Sequence, residues 1–204
     1  LFPVAAAYIL IAVVAAVGNL LVCFAILTNR SLRSKPSNLL LLSLAVSDLL
    51  TVVLAMPFDK DSFLQGHWRH GPVMCVTSLT SYLITVPTSI LTLLAISLDR
   101  YQNLLDPLRG TKKELEQCLT SFTVSLKAAR TTFMLVAAFF FCWQPFSYFS
   151  IVGILYGEQN WDPYPSKVFY VLLMFGYLNS ALNPFFFAFR NKQFKATYVR
   201  MFNL

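Results

Sequence analysis

Apolar residues in this chain do not alternate with polar ones; they run together. Five long stretches stand out: residues 1–28 without a charge, 36–58 with only Asp48, and 71–98, 131–157 and 168–189 without a charge. Each is long enough to cross a hydrocarbon core, which takes about 20 residues of helix. None shows the two-residue alternation of a barrel strand, and lipid offers no partner to exposed backbone N–H and C=O groups, so helix is the spanning form. The pattern predicts an all-α transmembrane helical bundle with five spans. The first stretch is too long for a signal peptide and lacks a basic leader and small-residue cleavage site, so it reads as a first span cut short at its N-terminus. After the last span, residues 191–203 mix apolar and basic positions as an amphipathic helix on a membrane surface does.

Composition strengthens this picture. The chain is 57% hydrophobic and only 12% charged, where a soluble domain carries roughly a quarter charged residues. With the N-terminus outside, Arg30, Arg33 and Lys35, the basic residues from Arg100 to Arg130, and those from Arg190 to Arg200 all fall on the cytoplasmic side. Only Lys60, Arg69 and Lys167 fall outside, so the positive-inside rule selects this orientation. The net charge of +7 is then a mark of topology and of attraction to anionic lipid, with nucleic-acid binding a weak second reading. Asn29-Arg30-Ser31 matches a glycosylation pattern, but on the cytoplasmic side, where it is a chance match. Of the four cysteines at 23, 75, 118 and 142, only Cys75 is placed at an outer helix start in an oxidising compartment, and no other is placed to pair with it.

Polar groups inside apolar helices are expensive, and their default reading is functional or as glue between helices. Asn19, Asp48, Ser89, Asn179, Ser180 and Asn183 are such residues. Asp48 is the costliest, because an ionised carboxylate needs several polar neighbours or a bound cation. A static hydrogen-bonded network explains the same residues equally well. Pro87, Pro145 and Pro184 each remove a helical hydrogen bond and bend their helix, and Trp143 beside one bend is either a side chain that moves with it or a packed core residue.

In order along the chain come Gly18-Asn19, Leu44-Ala45-Val46-Ser47-Asp48, Trp68, Cys75, Asp99-Arg100-Tyr101, Cys142-Trp143-Gln144-Pro145, and Asn179-Ser180-Ala181-Leu182-Asn183-Pro184-Phe185-Phe186-Phe187, with Phe194 beyond. In these motifs the chain resembles the rhodopsin-like (class A) G-protein-coupled receptors. The resemblance covers nearly its whole length, and its motifs agree in register with the topology. It implies a plasma-membrane, multi-pass receptor that is not an enzyme and signals to a heterotrimeric G protein, with arrestin, a receptor kinase and membrane lipid as further partners. It further implies a sodium pocket at Asp48, Ser89, Asn179 and Asn183, with Asn19, Ser180 and Trp143 nearby and Na⁺ favouring the inactive arrangement. The implied switch residues are Asp99, Arg100 and Tyr101, Trp143 and Pro145, and Asn183, Pro184 and Phe187. Cys75 matches a cysteine whose disulfide partner belongs to an outer loop absent from this chain.

Some positions depart from the family pattern. Phe187 stands where the family usually has Tyr, and Ser125 where many relatives carry an acid that pairs with the third-helix arginine. The first removes a hydroxyl that would join the active state's water network and the second a restraint on the inactive state, and raised basal activity is one expectation. Amine receptors keep an Asp at the position of Tyr82, which disfavours a typical monoamine, and Tyr177 occupies the retinal-lysine position of opsins. The resemblance places Tyr82, Val86, Trp143, Phe146, Ser147, Leu173 and Tyr177 around a pocket whose aromatic, weakly polar lining fits a lipid, a neutral molecule or a peptide end, or a collapsed ligand-free core.

The family has seven helices and five are visible here, corresponding to its helices 1, 2, 3, 6 and 7. Residues 101–142 leave no room for the fourth and fifth once the inner part of the Trp143 helix is formed. The expectation is one receptor domain over 1–204 with a seam near 108–112: either a signalling receptor lacking a middle segment, or a five-helix, non-signalling partner of full-length receptors. A transporter or channel is the remote alternative, and no internal repeat supports it. No nucleophile–base or metal cluster points to a membrane enzyme, since His67 and His70 share an outer loop with Trp68 without a ligating neighbour at suitable spacing.

Overall fold

The computed structural model describes residues 2–105, 115–155, 167–190 and 192–201. The described residues form eight helices and no strand: α1 (Phe2–Thr28), α2 (Arg30–Arg33), α3 (Pro36–Leu54), α4 (Met56–Gln65), α5 (Gly71–Leu105), α6 (Leu115–Leu155), α7 (Lys167–Arg190) and α8 (Lys192–Met201). The expected seam near 108–112 lies outside the described residues, as do the side chains of Tyr82, Asp99, Arg100, Tyr101 and Ser125. Four helical stretches are long and apolar enough to cross a membrane: Phe2–Thr28, Pro36–Gln65, Phe133–Gly153 and Lys167–Phe187. The 35-residue α5 is also long enough and carries the apolar stretch Ile84–Leu98.

The second span differs from the expected 36–58. Its helix starts at Pro36, a residue suited to the first helical position, and breaks at Ala55, whose φ of −125° and ψ of −58° leave the helical region. Pro57, with no N–H to give, opens α4, and Phe58 and Asp59 donate their N–H groups to the Ala55 carbonyl, both at 3.1 Å. The chain then stays helical through Asp59, Lys60 and Asp61 to Gln65 and stops at Gly66, which adopts the left-handed φ of 76° and returns its N–H to the Ser62 carbonyl at 2.9 Å. These charged residues, which look like the start of a loop, are a helical turn. The other ends shift too. The third expected span, 71–98, extends to Leu105, so the Asp99-Arg100-Tyr101 backbone is helical, and α8 covers Lys192–Met201 of the expected 191–203.

At the α1–α3 corner, Asn29 caps α2 by accepting the Ser31 N–H at 3.0 Å and donates to Thr197 Oγ1 of α8, also at 3.0 Å. Phe194, fully buried, ties α8 to α7 by packing on Phe187 with ring centroids 6.4 Å apart. Two apolar clusters fill the bundle. One joins Val22, Ile26, Leu44, Leu93, Leu135 and Phe187 toward the α8 end, and the other joins Tyr8, Met56, Phe63, Tyr170, Leu173 and Tyr177 toward the opposite end.

Between α1 and α7 the fit is close. A Cβ built on Gly18 would come within 2.7 Å of Pro184 Cγ, so only glycine lets α1 approach the proline ring. Pro184 has no N–H for the carbonyl of Ser180 one turn earlier. Asn19 fills that vacancy from α1, donating Nδ2 to the Ser180 carbonyl at 2.9 Å and to the Ala15 carbonyl at 2.9 Å. The adjacent pair Gly18-Asn19 therefore serves one bend in a different helix.

Candidate functional site

Asp48, only 2% exposed, lies near the middle of α3 and faces α7. Ser180 Oγ donates to its Oδ1 at 2.7 Å, and Asn183 Nδ2 donates to its Oδ2 at 2.8 Å. Ser180 and Asn183 share a face of α7 because they are three residues apart on a helix, and Pro184 bends the helix next to them. A small cavity adjoins the carboxylate, about 10 Å³ of room for the centre of a water-sized sphere, which is the space of a single water or small ion. Thr51, Thr85, Ser89, Asn179 and Ser180 line its polar side with Asp48, and Val86, Phe139 and Trp143 its apolar side. Asn179 Oδ1 is buried with no hydrogen-bond partner among the described residues, and Ser89 Oγ, having donated to the Thr85 carbonyl at 2.9 Å, keeps lone pairs to offer. Of the four residues in the expected sodium set, Asp48, Ser89 and Asn179 line the cavity, and Asn183 holds the carboxylate from the side. The three that line the cavity offer hard oxygens with one carboxylate, the donor chemistry that suits a hard cation. No group of three His, Cys, Asp or Glu that could hold a metal occurs among the described residues.

Trp143 forms the partition above this cavity. Its ring lies against α7 where a Cβ on Gly176 would approach it to 3.1 Å, and it meets Phe139 at 6.2 Å and Phe146 at 5.9 Å between centroids. Beyond it lies the aromatic cluster that contains four of the expected pocket residues, Trp143, Phe146, Leu173 and Tyr177. Val86 instead lines the deeper cavity, and Ser147 is exposed. Among the switch positions, Pro145 is exposed while Asn183, Pro184 and Phe187 are buried. Cys75 is half-buried and carries a free thiol.

Ser180, expected near the carboxylate, bonds it directly. Two buried features escape sequence reasoning. Asp59, 6% exposed, receives the Tyr177 hydroxyl as a hydrogen-bond donor across α4 and α7. Tyr8, 1% exposed, donates its hydroxyl to the Tyr170 carbonyl at 2.6 Å. The signal that finds Asp59 is Pro57, a helix-start residue that keeps the following charges in a helix facing the core.

Comparison with known proteins bears on this geometry. The sequence pattern of the 7 transmembrane receptor (rhodopsin family) matches residues 18–122 and 112–187. The chain is 47% identical over 85 residues to an alpha-2 adrenergic receptor of Labrus ossifagus, covering 42% of this chain and 19% of that protein. It is 47% identical over 92 residues to dopamine receptor 1 of Drosophila melanogaster, covering 45% and 18%. A match to the histamine H2 receptor of Cavia porcellus runs over 285 residues at 30% identity, covering 95% of this chain and 77% of that protein. The first two matches span about a fifth of their relatives' length; the third spans most of it. With its apolar helices and a carboxylate bonded between two of them, the chain is a multi-pass membrane protein and belongs to the rhodopsin family of seven-transmembrane receptors.

Proposed function

We propose that this chain is the signalling body of a G-protein-coupled receptor, with its N-terminus outside the plasma membrane and its C-terminus in the cytoplasm. The observation that carries the reading is the Asp48–Ser180–Asn183 contact beneath Trp143: a buried carboxylate joins two helices at the bend of one of them, with a cavity beside it. Such a contact is sensitive to a cation in the cavity, which would compete with the Ser180 and Asn183 donors for the carboxylate, and so can act as a switch. Asp48, Ser89 and Asn179 would hold a sodium ion, whose positive charge would offset the carboxylate and favour the resting arrangement. A ligand near Trp143, Phe146, Leu173 and Tyr177 pushes on the partition. The α6 helix then swings about Pro145 and opens the end of the bundle where Asp99, Arg100 and Tyr101 close α5 to a heterotrimeric G protein, and afterwards to arrestin and a receptor kinase. Ligand and G protein bias one two-state bundle, so each raises the other's affinity by the same factor. Ser125, standing where many relatives carry an acid that pairs with the third-helix arginine, favours ligand-free activity, whereas Phe187, packed on Phe194, lacks a hydroxyl that would serve the active arrangement.

The direct test is guanine-nucleotide exchange by a panel of purified G proteins on the chain in lipid nanodiscs, with Na⁺ replaced by a larger cation at constant ionic strength. Exchange that rises as Na⁺ is withdrawn is expected, and an Asp48→Asn variant insensitive to Na⁺. No exchange with any G protein, with or without Na⁺, sinks the reading.

A second reading rests on the seam. The histamine-receptor match runs over 285 residues although this chain has 204, and the family pattern matches in two parts that meet at 112–122. A product lacking the fourth and fifth helices has an open α5–α6 side and acts as a non-signalling partner of full-length receptors. The mass of the intact protein separates the two: a mass of about 23 kDa favours the partner, and a larger one the receptor.

A further inference from the structure

The connection between α4 and α5 carries a cluster of chemistry-bearing side chains of its own, apart from the sodium cavity. Gly66 ends α4 in a left-handed turn, and Gly71, at a φ of 74°, opens α5. Between the two turns the chain folds back, and His70 comes to rest on α4. Its ring meets Phe58 edge-on at 5.1 Å and Trp68 edge-on at 5.4 Å, and Phe58 meets Trp68 at 6.4 Å. Trp68 is fixed in turn, donating Nε1 to the Gly71 carbonyl at 2.9 Å. With two rings holding the imidazole, its Nε2 lies 2.9 Å from Oδ2 of Asp61. In sequence His70 has no ligating neighbour at suitable spacing; the fold supplies one from α4.

That contact is close without being a hydrogen bond. Nε2 is buried and has no hydrogen-bond partner among the described residues, so the carboxylate oxygen lies off the axis along which a ring nitrogen offers its proton or its lone pair. An imidazole nitrogen and a carboxylate oxygen placed in this way resemble two ligands of one ion. Each such donor sits about 2.0–2.2 Å from a zinc ion, which occupies the apex of a triangle whose base is the contact between them. Imidazole together with carboxylate favours zinc over calcium and magnesium, which take oxygen ligands. The two side chains are 27% and 28% exposed, so a hydrated ion can reach them. Arg69 opposes a cation here, with its Nε 3.8 Å from the same oxygen. At that distance, on a side chain 55% exposed, the pairing is weak and the guanidinium can swing away into water. No third His, Cys, Asp or Glu joins the pair among the described residues, so water completes the shell and the ion is exchangeable.

We propose that Asp61 and His70 bind a zinc ion that clamps the α4–α5 connection onto α4. Phe58 and Asp61 are three residues apart and share a face of that helix. The ring contact and the ion therefore hold His70 at two points about one turn apart, and the chain between Gly66 and Gly71 loses its freedom to lift. As a site of regulation from outside the cell, the inference rests on the orientation given under the proposed function; as a metal site it stands alone.

The experiment is a zinc titration of the purified 204-residue chain, without a polyhistidine tag and in nanodiscs of zwitterionic lipid, against a fluorescent zinc indicator. One equivalent is expected to bind, and magnesium at about a hundredfold excess leaves it in place. Asp61→Asn and His70→Gln each weaken binding by at least the roughly tenfold that loss of an outer-shell contact costs, whereas His67→Gln and Cys75→Ser keep it. His70→Cys, made in the Cys75→Ser chain, exchanges one zinc ligand for another. It retains binding while abolishing the imidazole–carboxylate pair, and keeps the test decisive if His70→Gln fails to fold. Amide hydrogen exchange at residues 66–71 slows with zinc in the unaltered chain and not in Asp61→Asn. No saturable binding, displacement by magnesium, or an affinity unchanged in Asp61→Asn or His70→Gln overturns the site. So does an equal loss in His67→Gln or Cys75→Ser, or a His70→Cys chain that no longer binds. Zinc binding without slower amide exchange overturns the clamp. Zinc binding without nucleotide exchange on any G protein defeats the receptor reading and leaves this site standing; nucleotide exchange by a chain that binds no zinc does the reverse.

Discussion

The two flanks of α7 are built differently. Toward α1 and α3 it is bolted: Gly18 lies on the rigid Pro184 ring, Asn19 bonds the Ser180 carbonyl, Ser180 and Asn183 bond Asp48, and Tyr8 bonds the Tyr170 carbonyl. Toward α6 it is cushioned, by Trp143 against Gly176 and Phe146 against Phe169 at 5.1 Å. Burial follows the same division, with 50% of the most apolar stretch of α7 inside the protein and only 11% of that of α6. Directional bonds have one good geometry, whereas ring contacts keep much of their energy as rings slide and tilt. A bundle made this way has a fixed frame, α1–α3–α7, and one helix able to move against it.

The comparison can be broken most severely at Asp48. Asp48→Leu strands the Ser180 hydroxyl and the Asn183 amide in the core, and the expected loss of stability is about 2–6 kcal/mol, at one to three per orphaned donor. Unfolding of the purified chain by titration of denaturing detergent reads it, and a loss below about 1 kcal/mol removes the carboxylate from the frame. Gly18→Ala comes next. The new methyl meets a proline ring that cannot rotate away, so α1 and α7 must separate, at an expected cost of about 1–3 kcal/mol. The same substitution at Gly176 sharpens the contrast. There the methyl meets the Trp143 ring at 3.1 Å, a side chain that can tilt by a few tenths of an ångström, and the expected cost is under about 1 kcal/mol. Equal costs at Gly18 and Gly176, in the same detergent titration, erase the distinction between the flanks. The smallest effect belongs to Phe141→Leu on the outward face of α6, where the ring is 73% exposed; a change within about 0.5 kcal/mol is expected, and a larger one means that α6 is packed against something on that face.

What could be read from the sequence follows from how local each signal is. Spans announce themselves, because a long apolar run has few uses besides crossing lipid, and Asp48 announces itself because a charge inside such a run is expensive. Whether a helix stops at the last apolar residue is a weaker signal. The second run ends at Phe58, yet Pro57 starts a fresh helix that carries Asp59 into the core, and only the fold shows which way that helix faces. Tyr8 and Tyr170 were invisible for another reason: in a chain with 9 Tyr and 19 Phe, no single aromatic residue stands out until its hydroxyl is seen to have a partner. Ser180 lies between these cases: as a polar residue in an apolar run it is legible as a neighbour of Asp48, but that it bonds the carboxylate directly shows only once α7 turns that face toward α3.

The bond from Asn19 to the Ser180 carbonyl constrains the history of the chain as well as its shape. Proline at 184 without an amide at 19 leaves a carbonyl stranded in the core. Asparagine at 19 without that proline brings a polar side chain to a helix whose carbonyl is already satisfied. Each residue is a burden in the absence of the other, so whichever arose second had its selective value set by a residue in a distant part of the gene. Loss is ordered in the same way. A lineage that replaces Pro184 frees Asn19 to drift, whereas one that replaces Asn19 first must pass through a less stable protein.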